Sequence, residues 1–136
     1  MPGKELPEPT ERELQILKVL WDRGEASVHA VYLALRDELG IVQNTVQAFL
    51  RTMEAKGLVT HRTVGRTFLY RPRLEREHAA RRRVSNVLER VFDGALDELV
   101  AHALSVRSPS VEELSRLRAM IDEFETEARS GRRPRR

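Results

Sequence analysis

Residues 42–72 read VQNTVQAFLRTMEAKGLVTHRTVGRTFLYRP, and the first half of this stretch carries a helical period. Val46, Phe49, Leu50 and Met53 recur at i, i+3, i+4 and i+7, which puts them on one stripe that has to be buried. The opposite face presents Asn44, Gln47, Ala48 and Arg51, with Thr45 and Thr52 at its flanks. A helix that meets only solvent is commonly loaded there with Glu and Lys at i, i+4 spacing. Amide, methyl and guanidinium groups are instead the chemistry that reads base edges, so the pattern predicts a recognition helix. For Asn44 and Gln47 a second assignment stands open, as a helix N-cap and its N3 partner.

A stop at Gly57 ends that helix, and the runs Leu58 to Val64 and Thr67 to Arg71 suit two strands. Gly65 between them supplies the positive φ that a hairpin turn needs. Phe68 and Tyr70 alternate onto one face, where they are expected to cover the helices, and they join Trp21 and Phe49 as candidate core aromatics. Arg62 and Arg66 on the hairpin are candidate phosphate contacts. From Leu39 to Leu74 the one acidic residue is Glu54, against Arg51, Lys56, Arg62, Arg66, Arg71 and Arg73. The net charge of +3 conceals this local excess. Such asymmetry speaks about partners and points to a polyanion at this part of the chain.

Upstream, Thr10 and Glu13 have capping-box spacing at the start of a first helix, in which Leu14, Leu17, Leu20 and Trp21 supply the buried stripe before Gly24. Ser27 then caps a second helix with Val28, Val31, Leu35 and Leu39 on one face, ending at Gly40. Two helices in tight succession, the second polar on its outer face, followed by a hairpin, predict a winged helix-turn-helix over residues 8–73. Pro72 marks the change to a purely helical pattern over residues 74–126. There the candidate apolar positions are Val84, Val87, Leu88, Val91, Phe92, Leu96, Leu99, Val100, Leu114, Leu117, Ile121 and Phe124, with Gly94 as a break and Ser110 and Glu113 as another capping box. Full burial of one such side chain is worth roughly 1.5 to 3 kcal/mol, while each ordered residue costs about 1 to 2 kcal/mol of backbone entropy. These helices therefore need a partner, and a second copy of the chain is expected to supply it. Residues 127–136 are rich in arginine and are expected to form a disordered basic tail. The fold class read from all this is mostly α with a small β-hairpin wing.

Composition narrows the function. With no cysteine there is no disulfide framework or thiolate metal site, and His29, His61, His78 and His102 are scattered without ligand spacing, so no metal and no cofactor is expected. No apolar run is long enough to span a membrane and the start MPGKELPEPT does not read as a secretory signal, so a cytoplasmic protein without membrane insertion is expected. Ser27, Ser85, Ser110 and Ser115 fall at caps or on helix surfaces, without a base and an orienting group, and no phosphate-binding glycine loop is present. An enzyme is not expected.

The segments ERELQILKVLW (residues 11–21) and NTVQAFLRTMEAKGLV (residues 44–59), the hairpin through Tyr70, Phe92-Asp93-Gly94-Ala95-Leu96, and Leu99-Val100-Ala101-His102 together give the chain its family likeness. In their order and spacing it resembles the BlaI/MecI penicillinase-repressor family of bacterial winged-helix repressors, from about Leu6 to Phe124. The resemblance implies a homodimeric transcriptional repressor on double-stranded DNA, with interlocked C-terminal helices and two winged domains on the half-sites of a palindromic operator. It also implies a membrane sensor-protease system as a partner, with cleavage in the dimerisation region near His102 and Ala103. Ala103 is small where well-known members carry a large aromatic, and the C-terminal cysteines of copper-responsive members are absent. Two other readings stay open: a winged-helix repressor that senses a small molecule directly, and a winged-helix module for protein interaction.

Overall fold

A computed structural model describes residues 6–131. In chain order the elements are α1 (Glu11–Arg23), β1 (Ala26–Ser27), α2 (Val28–Leu39), α3 (Gln43–Lys56), β2 (Val59–Val64), β3 (Thr67–Pro72), α4 (Arg76–Arg90), α5 (Leu96–Val106) and α6 (Val111–Arg129). The expected capping box opens α1. Glu13 N–H donates to the Thr10 hydroxyl at 3.2 Å, and Thr10 N–H donates to the Glu13 carboxylate at 3.0 Å. Ser27 caps α2 by accepting from Ala30 N–H at 3.1 Å. Left-handed glycines at Gly40 and Gly57 then close α2 and α3, a backbone region where a Cβ is costly.

The hairpin expected from sequence is part of a three-stranded antiparallel sheet in the order β1-β3-β2. Its third strand, β1, pairs Ala26 with Tyr70 and Ser27 with Leu69. Two residues are too few to show a period of two, which is why the sequence pattern did not reveal this strand. Gly65, at φ +63, turns β2 into β3. The register then sets His61 opposite Tyr70 and Thr63 opposite Phe68.

Two compact units divide the described residues, 6–87 and 88–131. The core of the first is built from Ile16, Leu17, Leu20, Val31, Leu35, Val46, Leu50, Met53, Leu58, Val59, Tyr70, Leu74 and Ala79. Most of the expected stripe residues are here, but Ile16 is fully buried where Leu14 is only half-buried. Phe68 departs from the core assignment: it is 46% exposed, because β3 turns it out beside α3 as the strand runs toward the hairpin tip. The unit also reaches past the expected boundary at residues 73 and 74. Leu74 is buried, its carbonyl accepts the Trp21 indole N–H at 2.9 Å, and Ala79 on α4 is buried as well.

Arg82 and Arg83, in a run of three arginines that would read from sequence as a solvated helix face, are instead engaged by backbone carbonyls. Arg82 donates to the Leu6 carbonyl, while Arg83 donates to the Pro9 carbonyl at 2.8 Å and lies near the Glu8 and Glu11 carboxylates, so together they fasten the segment before α1.

In the second unit α5 and α6 have no fully buried side chain among the described residues. The break expected at Gly94 comes earlier: α4 ends at Arg90, and Val91 and Phe92 lie beyond it in a turn held by Gly94 N–H donating to the Leu88 carbonyl at 2.8 Å. Only half of the second capping box forms. Glu113 N–H donates to Ser110 at 3.0 Å, but the Glu113 carboxylate accepts from Arg107 at 2.8 Å. Of the expected tail, residues 127–129 are helical and complete α6, where Arg129 reaches Glu125 one turn back; residues 132–136 lie outside the described residues.

Candidate nucleic-acid interface

The third helix is held by what it buries. Val46, Leu50 and Met53 are fully buried and Phe49 packs partly against them, which leaves the other face to solvent. That face carries Asn44, Thr45, Ala48, Arg51 and Thr52 as exposed residues and Gln47 as a half-buried one. The N-cap of α3 is Val42, whose side chain makes no capping bond. Asn44 is thus already inside the helix, and the alternative assignment of Asn44 and Gln47 as a capping pair does not hold. Their amides remain available on the surface.

Between α3 and the hairpin runs an open groove of about 510 Å³. Gln47 and Arg51 line it from α3, Arg66 and Thr67 from the hairpin tip, Phe68 and Tyr70 from β3, and Ser27, Val28, His29 and Gln43 from the ends of α2 and α3. No carboxylate is among these lining residues. Two guanidinium groups therefore face the groove without a local counter-charge, an arrangement that attracts an anion and repels a cation. Glu54, the single acid of the region, is turned to His61, whose Nδ1 lies 2.8 Å from both of its carboxylate oxygens. The His61 ring in turn stacks on Phe68 at 4.1 Å between centroids. Burial raises the Tyr70 phenol above its ordinary pKa, with the Glu54 charge adding to this and Arg51 opposing it, so the phenol stays neutral beside the groove.

Not every candidate sits in the groove. Asn44, Thr45, Ala48 and Thr52 lie on the exposed face of α3 outside the groove lining. Arg62 is committed elsewhere: its Nε and Nη2 donate to the two oxygens of Glu25 at 2.7 and 2.8 Å, a two-pronged bond that leaves three of its five N–H donors. The Arg62 hydrogen bonds hold the Glu25 carboxyl below the usual carboxylate range. Sequence reasoning did not single out Glu25, His29 or Gln43. Each belongs here through a partner 14 or 37 residues away, a separation that leaves no local pattern.

His102 and Ala103 both lie exposed within α5, with the His102 ring 5.2 Å from that of Phe92. Among the described residues no helix is long and apolar enough to cross a membrane.

Comparison with known proteins adds three findings. The penicillinase repressor family model matches residues 9–123. The penicillinase repressor of Bacillus licheniformis is 26% identical over 120 residues, covering 88% of this chain and 94% of that protein. The solution structure of the DNA binding domain of the repressor BlaI aligns with a TM-score of 0.50 at 26% identity, over 56% of this chain and 93% of that one.

Proposed function

Because this chain belongs to the penicillinase repressor family, a family of transcriptional repressors and not of enzymes, we propose that it is a DNA-binding repressor acting as a homodimer on a palindromic operator. The observation that carries the proposal is the carboxylate-free groove in which Gln47 and Arg51 of α3 meet Arg66 of the hairpin. In this reading α3 enters the major groove with Gln47 against a base edge, Asn44, Thr45, Ala48, Arg51 and Thr52 extend the contact to neighbouring bases and phosphates, and Arg66 and the free donors of Arg62 meet the backbone. The division follows from chemistry: an amide distinguishes acceptors from donors, whereas a guanidinium at a loop tip neutralises any phosphate alike.

The second copy is supported by the apolar groups left uncovered in one chain. Leu96 and Val100 of α5 and Ile121 and Phe124 of α6 are each between 40% and 60% exposed. Val84, Val87 and Val91 are exposed as well, and Leu88, Phe92, Leu99, Leu114 and Leu117 are only half-buried. Helices so poor in buried contacts gain most by packing against an identical set. Two α3 helices then fall on half-sites about one helical turn apart, or a multiple of it. Within this reading, residues 8–73 form the part that reads DNA and residues 74–126 the part that pairs. Relief by cleavage at His102-Ala103 requires α5 to unwind locally first, because that bond lies in the middle of the helix.

The test is selection of bound fragments from random duplexes by the purified full chain, followed by footprints of two variants. Gln47→Ala should relax the preference at one position per half-site, while Arg66→Ala should weaken all sequences alike. Equal, uniform losses in both variants overturn the division of roles, and recovery of no common sequence overturns the proposal itself.

A further inference from the structure

At the edge of the groove the His29 Nδ1 of α2 lies 2.9 Å from the Gln43 Oε1 at the first residue of α3. An amide oxygen only accepts, so the ring nitrogen carries the proton and donates it. One of the two lone pairs of the Gln43 oxygen is thereby taken and the amide is held oxygen-first against the ring, so its two N–H donors are unshared while its acceptor is shared. Both residues line the groove with Gln47, Arg51 and Arg66, and both are exposed. The His29 ring is further backed by Tyr32, with centroids 6.0 Å apart. A free surface glutamine loses side-chain entropy when it binds, whereas one already held from a neighbouring helix has lost part of it beforehand.

We propose that Gln43 is a specificity-determining base reader and that His29 is the positioning residue which holds its oxygen and so presents it chiefly as a donor. This rests on the reading of α3 as a recognition helix, whose N-terminal residues are the ones that meet base edges. A glutamine with both amide atoms free recognises adenine in a two-pronged way, accepting from N6 and donating to N7. With its oxygen shared with His29 and its N–H donors unshared, Gln43 instead favours an edge that accepts: the N7 and O6 of guanine, or the O4 of thymine. The pair adds one position to the operator that Gln47 does not read.

The experiment measures binding of the full chain to the operator selected above and to its single-base-pair variants. Gln43→Ala should flatten the preference at one position per half-site by about tenfold and leave the others unchanged. His29→Ala should flatten the same position, less strongly. His29→Asn should restore it, because the asparagine Nδ2–H can take the place of the imidazole Nδ1–H. A Gln43→Ala profile identical to that of the unaltered chain overturns the inference, as does a His29→Ala effect at some other position or a failure of asparagine to rescue. If the unaltered chain shows no preference at any position, the DNA-reading function fails and this inference with it; if it is selective and only these variants are silent, this inference alone fails.

Discussion

The Lys56 ammonium in the last turn of α3 lies 2.8 Å from the Glu13 carboxylate in the first turn of α1, across 43 residues of sequence. Glu13 is almost wholly buried, and its other oxygen accepts the Thr10 N–H. One carboxylate thus closes the start of α1 and fastens the end of the helix proposed to read DNA.

Removing the cation should therefore cost stability. Lys56→Ala leaves a buried carboxylate with only its capping bond, and a loss of about 1 to 3 kcal/mol is expected in urea denaturation. Glu13→Gln combined with Lys56→Ala should recover part of that loss, since no buried charge is then left unpaired. A double variant less stable than Lys56→Ala by the full Glu13→Gln cost refutes the coupling.

The same pair sets an acid limit. Burial by itself pushes the Glu13 pKa up, but the hydrogen bond from Lys56 and the bond from the Thr10 backbone together hold it below the ordinary 4.5. A lowered folded pKa means that the unfolded chain binds the proton more readily. The stabilisation is complete above the ordinary value and drains away as pH falls through the lowered one. Denaturation midpoints taken from about pH 6 to pH 3 should fall more steeply for the unaltered chain than for Glu13→Gln, and parallel curves would remove Glu13 from the explanation.

Glu25 restrains the hairpin cation. Glu25→Ala frees all five donors of Arg62 and removes one negative charge beside it, so affinity for random duplex DNA should rise. The slope of log affinity against log salt should steepen by up to about 0.9, the value of one further neutralised phosphate. An unchanged slope would show that Arg62 stays clear of the backbone.

Pairing of chains is open to a direct check. Ile121→Asp with Phe124→Asp places two carboxylates on the exposed apolar face of α6 and should sediment as a monomer, whereas the unaltered chain should sediment as a dimer. The monomer should retain binding to a half-site and lose the preference for a palindrome. A double variant that sediments like its parent would move the interface elsewhere.

Much of the first unit was written in local pattern. Thr10 with Glu13, Ser27, Gly40 and Gly57 mark helix ends because a cap or a left-handed turn is decided by the residue itself and its near neighbours. The stripe of Val46, Leu50 and Met53 follows from the helical repeat. Phe68 was misplaced for the converse reason: alternation assigns a face of the strand, but whether that face is covered changes along its length as the hairpin leaves the helices.

Sequence alone determined the winged helix-turn-helix, the polar outer face of α3 and the scarcity of acid around it, because periodicity and charge are properties of order along the chain. Tertiary structure alone decided that Glu54 turns to His61, that Arg62 is held by Glu25, that Glu13 is joined to Lys56 and that His29 grips Gln43. Each of the last three pairs spans 14 to 43 residues. Which charged and amide groups stay free to meet a ligand depends on which have been taken by such neighbours, and only folding brings those neighbours within 3 Å.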